Sequence, residues 1–447
     1  MKQKKEILES EVLMASKDIF KFIPKERVLY HQHEEKIDLF DSRISVGYKN
    51  KNGSYTAYIF SSPIRYKASF VGYEDIDNRL VTVKSKDHKE GYMYRNNKND
   101  ILTYYPQKLT ENNGVLVESY LHAIKFGFSN INFELTNKKI QSSIWNVKND
   151  TVTYLDNNNI YKLNMYSTSL GVKLEFTIPP NYSEKEIVLW FETPSLSCSL
   201  EKGGYILLKE SNEVKGIIHA PVIKSIESSE VFLNNKLHLS RANNRYYLSV
   251  QLDDKINFYN VENQYVLDVS IEIHRNKQPD SVIYSKRPDT NQYLADFNII
   301  GNQEDIGIGR VYARLRIHEY VSDSIDNIRS VNYAVYNYFG SKDINKLTAH
   351  KVDEFWSSTE ITWHKLVPYA NKISEIAVSK QGYCYFDITE VAKQCLMDDT
   401  CSTESNGILL KSSNESDGYN IFASSDSAVF PSFIEINFIN LPKSFKI

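Results

Sequence analysis

The sequence predicts a mostly β protein, in which a short N-terminal helix precedes two antiparallel β-sandwich regions in tandem. The composition is the first observation: 31 Tyr and 21 Phe stand against only 17 Gly in 447 residues, and aromatic side chains favour the half-buried surface of a sheet. The second is an alternation of apolar and polar residues in many short segments, which is the period of a strand. The third is that turn residues separate these segments, where a βαβ protein would have helices.

The first 34 residues are interpreted as a helix followed by a linker. Leu8, Val12, Ala15, Ile19 and Phe22 are spaced by four and three residues, so they form one apolar stripe on a helix. Such a stripe needs a partner. The helix therefore packs on the body of the protein, which is the simpler interpretation, or docks on another chain.

The period changes to two after residue 40. Apolar and polar residues alternate through 44–48 and 55–59, and Asn52-Gly53 between them is a dipeptide that favours a hairpin turn. The same alternation recurs at 172–178 and 246–252. These segments predict antiparallel strands.

The charged stretch 274–288 is the most plausible boundary between two β regions, which we place at 35–275 and 283–443. One helical interruption is expected late in the chain. Asp387 resembles an N-cap with Glu390 as its acidic partner three residues later, and the helix that follows should bury Val391 and Cys395.

Composition also limits the partners and the compartment. The net charge of −3 gives no overall field that would attract nucleic acid, and no apolar run approaches the ~20 residues that cross a bilayer. The start of the sequence carries no visible secretory signal. Four cysteines are too few for a disulfide framework, although Cys395 and Cys401 could close a small loop in an oxidising compartment.

Few residues form a pattern that indicates catalysis or metal binding. His31, His33 and Glu34 could reach one cation, but a solvated linker between helix and strand is the simpler interpretation. Adjacent acids, with turn formation and solvation as their main interpretation and calcium coordination as a minor one, occur at Glu74-Asp75, Asp253-Asp254, Glu304-Asp305 and Asp398-Asp399. Gly307-Ile308-Gly309 lacks the third glycine and the helix of a dinucleotide site. We therefore predict no catalytic residue, no metal site and no cofactor, with structural calcium as the one exception left open.

The C-terminal region contains an ordered series of short motifs. Glu360–Trp363, Tyr385–Val391, Asn406–Lys411 and Phe422–Ser425 follow one another before Pro431. In this order they resemble the DNRLRE domain, which is grouped with carbohydrate-binding modules.

The resemblance covers about residues 283–440 and implies a β jelly roll for this region. Trp356 matches the tryptophan that usually precedes the Thr-Trp pair, and Arg310 and Arg314 match basic positions of an early strand. Function inferred from such a likeness is an analogy, since one fold serves many functions.

The upstream region is similar to the part that precedes such domains in Gram-positive YD-repeat (Rhs-like) and wall-associated proteins. Residues 61–66 and 74–80 resemble its signature, and Tyr265–Asp268 stands where the family has a closing strand. Two prolines of that strand are missing, and Arg316 stands where an aspartate is common. The resemblance implies an extracellular or cell-surface protein, with a cytoplasmic stage before export also possible.

The candidate ligand-binding residues are Arg310, Arg314 and His364. The two arginines are four residues apart, so on one strand they would share a face, where two guanidiniums suit the carboxylates of an acidic polysaccharide. The alternative is two solvated arginines that pair with Glu or Asp on neighbouring strands. Trp363 and His364 should point to opposite faces, with Trp363 inside and His364 outside.

These observations favour a non-catalytic structural or binding protein that recognises polysaccharide or a protein partner. A first alternative is an adaptor of a secretion or toxin-delivery assembly, docked by its N-terminal helix. A second is a polysaccharide lyase or hydrolase, because β-sandwiches can carry Tyr, His and Arg on a concave face. The sequence does not specify the ligand, the oligomeric state or the export route.

Overall fold

The structure is a computed structural model of the 447-residue chain. The part that it describes comprises residues 23–69, 72–136, 151–180, 182, 184–226, 231–232, 236–252, 256, 264–273, 280–315, 317, 321, 325–340, 346–378, 381–397, 406–416, 418–427, 429–443 and 445. The predicted helix over residues 8–22 lies outside this part.

The described chain is mostly antiparallel β structure, as the sequence predicts. Its α-helices are α1 (Lys25–His31) and α2 (Thr389–Met397), and its 3-10 helices span Asp38–Phe40, Ser85–Asp87 and Ile325–Asn327. None of its helices is long and apolar enough to cross a membrane.

The first strands are β1 (His33–Lys36), β2 (Ser45–Asn50), β3 (Tyr55–Phe60), β4 (Arg65–Ser69) and β5 (Gly72–Asp75). The middle strands are β6 (Asp77–Thr82), β7 (Tyr92–Lys98), β8 (Leu102–Pro106), β9 (Lys108–Leu109), β10 (Val115–Glu118), β11 (Ala123–Phe128), β12 (Phe133–Leu135), β13 (Val152–Asp156), β14 (Lys162–Ser167), β15 (Gly171–Ile178), β16 (Glu186–Glu192), β17 (Ser197–Leu200), β18 (Ile206–Glu210), β19 (Glu213–Ile218), β20 (Val222–Ser225), β21 (Val231–Phe232), β22 (Lys236–Ala242), β23 (Arg245–Gln251) and β24 (Tyr265–Glu272). The last strands are β25 (Asp280–Tyr284), β26 (Phe297–Gln303), β27 (Gly307–Ala313), β28 (Ile328–Gly340), β29 (Lys346–Val352), β30 (Tyr369–Ala377), β31 (Gly382–Asp387), β32 (Ile408–Ser412), β33 (Tyr419–Ala423) and β34 (Phe433–Phe438).

The chain folds into two compact units. Unit 1 comprises residues 1–74, 277–293 and 297–447, and unit 2 comprises residues 75–276 and 294–296. This division differs from the regions 35–275 and 283–443 that we placed from the sequence, because the strands before residue 74 join the C-terminal unit.

Unit 2 is a β-sandwich. One sheet has eight strands in the order β22-β23-β16-β11-β10-β8-β7-β6, and the other runs β17-β18-β19-β24-β15-β14-β13-β12-β9 with β20 beside β24. Apolar and polar residues alternate along β15, and its apolar residues Val172, Leu174 and Phe176 point into the core between the sheets. Val117 and Phe126 of the first sheet belong to the same core. The intervening Lys173 and Glu175 lie on the opposite face of the sheet.

Unit 1 contains a sheet in the order β1-β2-β3-β34-β28-β33-β26-β27-β32-β29-β30, with β25 beside β27 and β31 beside β28. The last strand of the chain is central to this order. It pairs with β3 through Tyr55–Phe60 on one side and with β28 on the other. The N-terminal strands are therefore part of the C-terminal sheet.

The solvated linker that we predicted around His31 and His33 is wrong. His31 ends α1, and His33 is buried at the start of β1. One ring nitrogen of His33 lies 2.6 Å from the Asn50 side chain and the other 2.9 Å from the Tyr58 hydroxyl. Burial lowers the pKa of His33 to about 3, so the imidazole is neutral and structural.

The helix predicted after Asp387 is confirmed. The backbone N–H of Thr389 donates to the Asp387 carboxylate at 2.9 Å, and α2 buries Val391 and Cys395. Cys401 lies outside the described residues, so the disulfide between Cys395 and Cys401 stays a prediction.

Candidate ligand-binding surface

Four neighbouring strands of unit 1, in the order β27-β32-β29-β30, carry the residues that form the candidate site. Tyr312 lies opposite Leu409, Leu409 opposite His350, and His350 opposite Lys372. Paired residues of antiparallel strands share a face, as does Arg310, two residues before Tyr312.

A small hydrophobic core lies on this face, beneath the connection from β29 to β30. Its buried members are Ile283, Tyr312, Val352, Trp356, Ile361 and Leu409, and Trp363, Val367 and Tyr369 pack against them while partly exposed. Trp356 is fixed further because its indole N–H donates to the Asn406 carbonyl at 2.7 Å. This core holds the connection against the strands.

Arg310 stands at the edge of the small core in a fixed position. Its guanidinium donates two hydrogen bonds to the Glu415 carboxylate, at 2.7 and 2.8 Å, and lies 4.8 Å from the centre of the Trp363 ring. A bidentate ion pair and a cation–π contact together restrict both side chains. Burial alone would raise the pKa of Glu415, but Arg310 outweighs it and lowers that pKa.

Tyr369 is a second partly exposed ring on the same face. The ammonium group of Lys411 lies 5.9 Å from its centre, and the His350 ring is 5.1 Å away in an edge-on arrangement. Burial lowers the pKa of His350, while its two ring nitrogens contact the Ala370 carbonyl and the Thr348 hydroxyl, each at 3.1 Å. We refer to Arg310, Trp363, Tyr369, Lys411 and Glu415 as the aromatic–cation surface.

The three predicted ligand-binding residues do not form one cluster. Arg310 belongs to the aromatic–cation surface, but β27 ends at Ala313, so Arg314 does not share its strand face as we expected. The Arg314 guanidinium instead donates to the Trp356 carbonyl and lies 4.9 Å from the exposed ring of Phe355. Arg310 does form an ion pair, but only 13% of its side chain is exposed and its partner Glu415 lies in a turn, so it is not the solvated pair between strands that the alternative described.

His364 is on the outside, as predicted, with 64% of its side chain exposed and one ring nitrogen 3.0 Å from Asp289. Trp363 is packed against the small core but keeps part of its ring exposed. The expected position of His364 on the outside agrees with the structure, whereas Trp363 lies against the core and not wholly inside it.

Unit 2 contains a different concentration of polar groups, on the face of β15 and β24 that points away from the core. Lys173 lies 3.1 Å from Asp268 and 2.6 Å from Asp296, and Lys224 lies 2.6 Å from Asp268. All four side chains are buried. Burial opposes ionisation of Asp296, but Lys173 outweighs it and lowers the pKa of Asp296 to about 2.

Glu175 is the exception in this buried network. It lies opposite Asp268 in the register, and neither of its carboxylate oxygens has a hydrogen-bond partner. Burial, and secondarily the charge of Asp268, raises the pKa of Glu175 to about 8, so the carboxyl is protonated at neutral pH. Because these side chains are buried, they act on the stability of the sheet and are not presented to solvent.

Within the described ranges, no group of three His, Cys, Asp or Glu side chains is arranged to hold a metal ion. Asp77, which follows Glu74-Asp75, accepts hydrogen bonds from Arg79 and Asn97. Asp253-Asp254 and Asp398-Asp399 lie outside those ranges. Structural calcium stays a prediction.

Sequence reasoning did not identify Tyr369, Lys411 or Glu415 as site residues. Lys411 is the last residue of the motif Asn406–Lys411, so the sequence pointed to its region but not to the residue itself. Glu415 lies in a turn after β32, 105 residues from Arg310, and no local pattern connects the two.

Comparison with known proteins identifies no family. No family model matches the chain, and no curated protein matches it. Two structures of an exo-β-1,3-galactanase from Phanerochaete chrysosporium, one with β-1,3-galactotriose and one with galactose, are 9% and 8% identical to it. The alignments cover 90% and 89% of this chain and 91% and 94% of the other chain, each with a TM-score of 0.11. Such a score does not show a shared fold.

Proposed function

We propose that this chain is a non-catalytic binding protein that recognises polysaccharide through the aromatic–cation surface of unit 1. The observation that carries the proposal is the contact of Arg310 with both Glu415 and Trp363. This contact restricts the partly exposed indole ring of Trp363, which lies beside a second partly exposed ring, that of Tyr369.

Rigid aromatic rings with a few fixed polar groups suit the recognition of sugars. The flat C–H faces of a sugar ring pack on an aromatic face, and charged groups beside the ring bond to its hydroxyl and carboxyl oxygens. Trp363 and Tyr369 are already packed against the small core. Binding of a ligand therefore costs little further side-chain conformational entropy.

The charge of the surface favours an acidic polymer over a neutral one. Arg310 and Lys411 are two cations, and Glu415 is one anion, so the surface carries one excess positive charge. Both cations pair with Glu415, Arg310 at 2.7 Å and Lys411 at 3.6 Å. Because Lys411 makes the longer contact, we expect it to be the cation that exchanges Glu415 for a carboxylate of the ligand. This replaces the pair of arginines that the sequence suggested.

The test is a titration of the full-length protein with a panel of neutral and uronate-containing polysaccharides. We expect Trp363→Ala to weaken binding by about tenfold, equivalent to ~1.4 kcal/mol. Tyr369→Ala should act in the same direction. Leu366→Ala is the matched control, because it removes an exposed apolar side chain from the same connection and should leave affinity unchanged.

A second comparison tests the charge. Lys411→Gln should weaken binding of uronate polymers and flatten its salt dependence, with no effect on neutral ones. Binding of a specific protein, with no glycan bound by any variant, contradicts the carbohydrate proposal and favours the assembly alternative. Release of sugar fragments that a single substitution abolishes contradicts the non-catalytic proposal.

The same proposal places the protein at the cell surface or outside the cell, where polysaccharide ligands are found. This rests on the resemblance of residues 283–440 to the DNRLRE domain, which is itself part of the proposal. Immunolabelling of intact cells, compared with permeabilised cells, tests it directly. Labelling confined to permeabilised cells contradicts it.

A further inference from the structure

Helix α1 packs on one face of the unit 1 sheet. Ile23 and Val28 are buried there against Tyr58, Phe60 and Phe433. Arg27 fixes the helix to the sheet. Its guanidinium pairs with the buried carboxylate of Glu435 and lies over the Tyr385 ring, 4.1 Å from its centre.

The same face continues past the helix as a cluster of aromatic rings. Tyr336 lies opposite Tyr383 in the register of β28 and β31, and its ring stacks on Phe430 with centres 3.8 Å apart and planes within 3°. The Tyr383 ring lies 5.1 Å from Tyr336 and 5.0 Å from Phe433, so the cluster is continuous with the residues beneath α1. We call Tyr336, Tyr383 and Phe430 the outer aromatic patch; all three are half-buried.

The N-terminal end of α1 lies beside this patch. Glu26, in the first turn, is close enough to contribute to the raised pKa values of Tyr336 and Tyr383, for which burial is the main cause. Ile23, just before α1, is 2% exposed and belongs to the core cluster against which Tyr383 of the patch packs.

The sequence before Ile23 has the pattern that such a surface requires. Leu8, Val12, Ala15, Ile19 and Phe22 form one apolar stripe at helical spacing, and a half-buried aromatic cluster that continues a buried core is an apolar surface of matching kind.

We propose that the N-terminal segment 8–22 of this same chain docks its apolar stripe on the outer aromatic patch and extends the cover that α1 begins. Of the two partners that the sequence left open for this helix, the proposal selects the body of the protein. It is independent of the polysaccharide proposal, which concerns other strands.

The test is hydroxyl-radical footprinting of full-length protein carrying Val12→Glu with Ile19→Glu. We expect oxidation of Tyr336, Tyr383 and Phe430 to increase by about twofold, since rings that are half-buried become accessible when apolar contacts are lost. Lys17→Glu is the matched control, because it changes the net charge by the same −2 at a position off the stripe. It should leave the footprint unchanged.

A reciprocal variant distinguishes the loss of this contact from a general loss of folding. Tyr336→Ser with Phe430→Ser should accelerate amide hydrogen exchange of residues 8–22 while exchange of unit 2 strands stays as in the wild type. An unchanged footprint in the stripe variant, or unchanged exchange in the patch variant, overturns the proposal. Protection of the patch that rises with protein concentration also overturns it, because a second copy would then be the occupant.

Discussion

Glu175 lies on β15 among lysines and aspartates, yet its own carboxylate oxygens have no hydrogen-bond partner. The buried charges beside it are paired, whereas an ionised Glu175 would be a buried charge without a partner. The Glu175 carboxyl therefore remains protonated at neutral pH. It is therefore a residue whose replacement should improve stability.

We expect Glu175→Gln to stabilise unit 2 at neutral and alkaline pH. The pKa of Glu175 is raised from its ordinary value of 4.5 to about 8 in the folded state, so the folded protein loses stability relative to the variant as pH rises from 4.5 towards 8. The difference in the free energy of unfolding should be small at pH 4 and reach on the order of 5 kcal/mol above pH 8.

Urea unfolding of both proteins at pH 4, 7 and 9 measures this difference. Glu134→Gln is the matched control, because it removes the same charge from a half-exposed position in the same unit. A difference between wild type and Glu175→Gln that stays constant from pH 4 to 9 means that the carboxyl is not protonated in the folded state.

At the scale of elements, the buried carboxylate of Glu435 ties helix α1 to strand β34. Arg27 donates to it, His31 lies 3.2 Å from it, and Asn332 donates to it at 3.1 Å. Burial would raise the pKa of Glu435, but His31 and Arg27 outweigh burial and lower it to about 2.

Arg27→Gln should destabilise unit 1 by about 3 kcal/mol at pH 7, because it leaves a buried carboxylate without its main partner. The pKa of Glu435 in the folded state lies below its ordinary value of 4.5, so this stability is present above pH 4.5 and is lost as pH falls towards 2. Thermal unfolding at pH 7 and pH 3 should show the larger loss at pH 7. The control is Lys25→Gln, which removes an exposed charge from the same helix; an equal loss in both variants contradicts the role of the ion pair.

Elements with a local signal were predictable, and those set by distant contacts were not. The strands around Asn52-Gly53 and the helix after Asp387 follow from periodicity and capping. His33 did not, because Asn50 and Tyr58, which satisfy its ring, are brought near only by β2 and β3. For the candidate site, the sequence indicated Arg310 but not its partner Glu415, since a strand residue and a turn residue 105 positions later have no fixed spacing.

For the whole molecule, the same limit explains the division into units. Strand periodicity indicates that 35–74 and 283–443 are both β, but it does not indicate which strands pair. In the structure β3 pairs with β34 along its full length, so the region that we placed at 283–443 from the sequence lacks part of its own sheet.

The fragment 283–443 should therefore not fold alone. It lacks β3, which leaves one edge of β34 unpaired, and it lacks Arg27 and His31, which leaves Glu435 without charged partners in the sheet. Thermal unfolding of this fragment followed by circular dichroism should show no cooperative transition. Co-expression of segments 1–74 and 277–447 should restore one, because together they supply every strand of the unit 1 sheet. A sharp transition in the fragment 283–443 alone contradicts this account and means that the domain folds without the N-terminal strands.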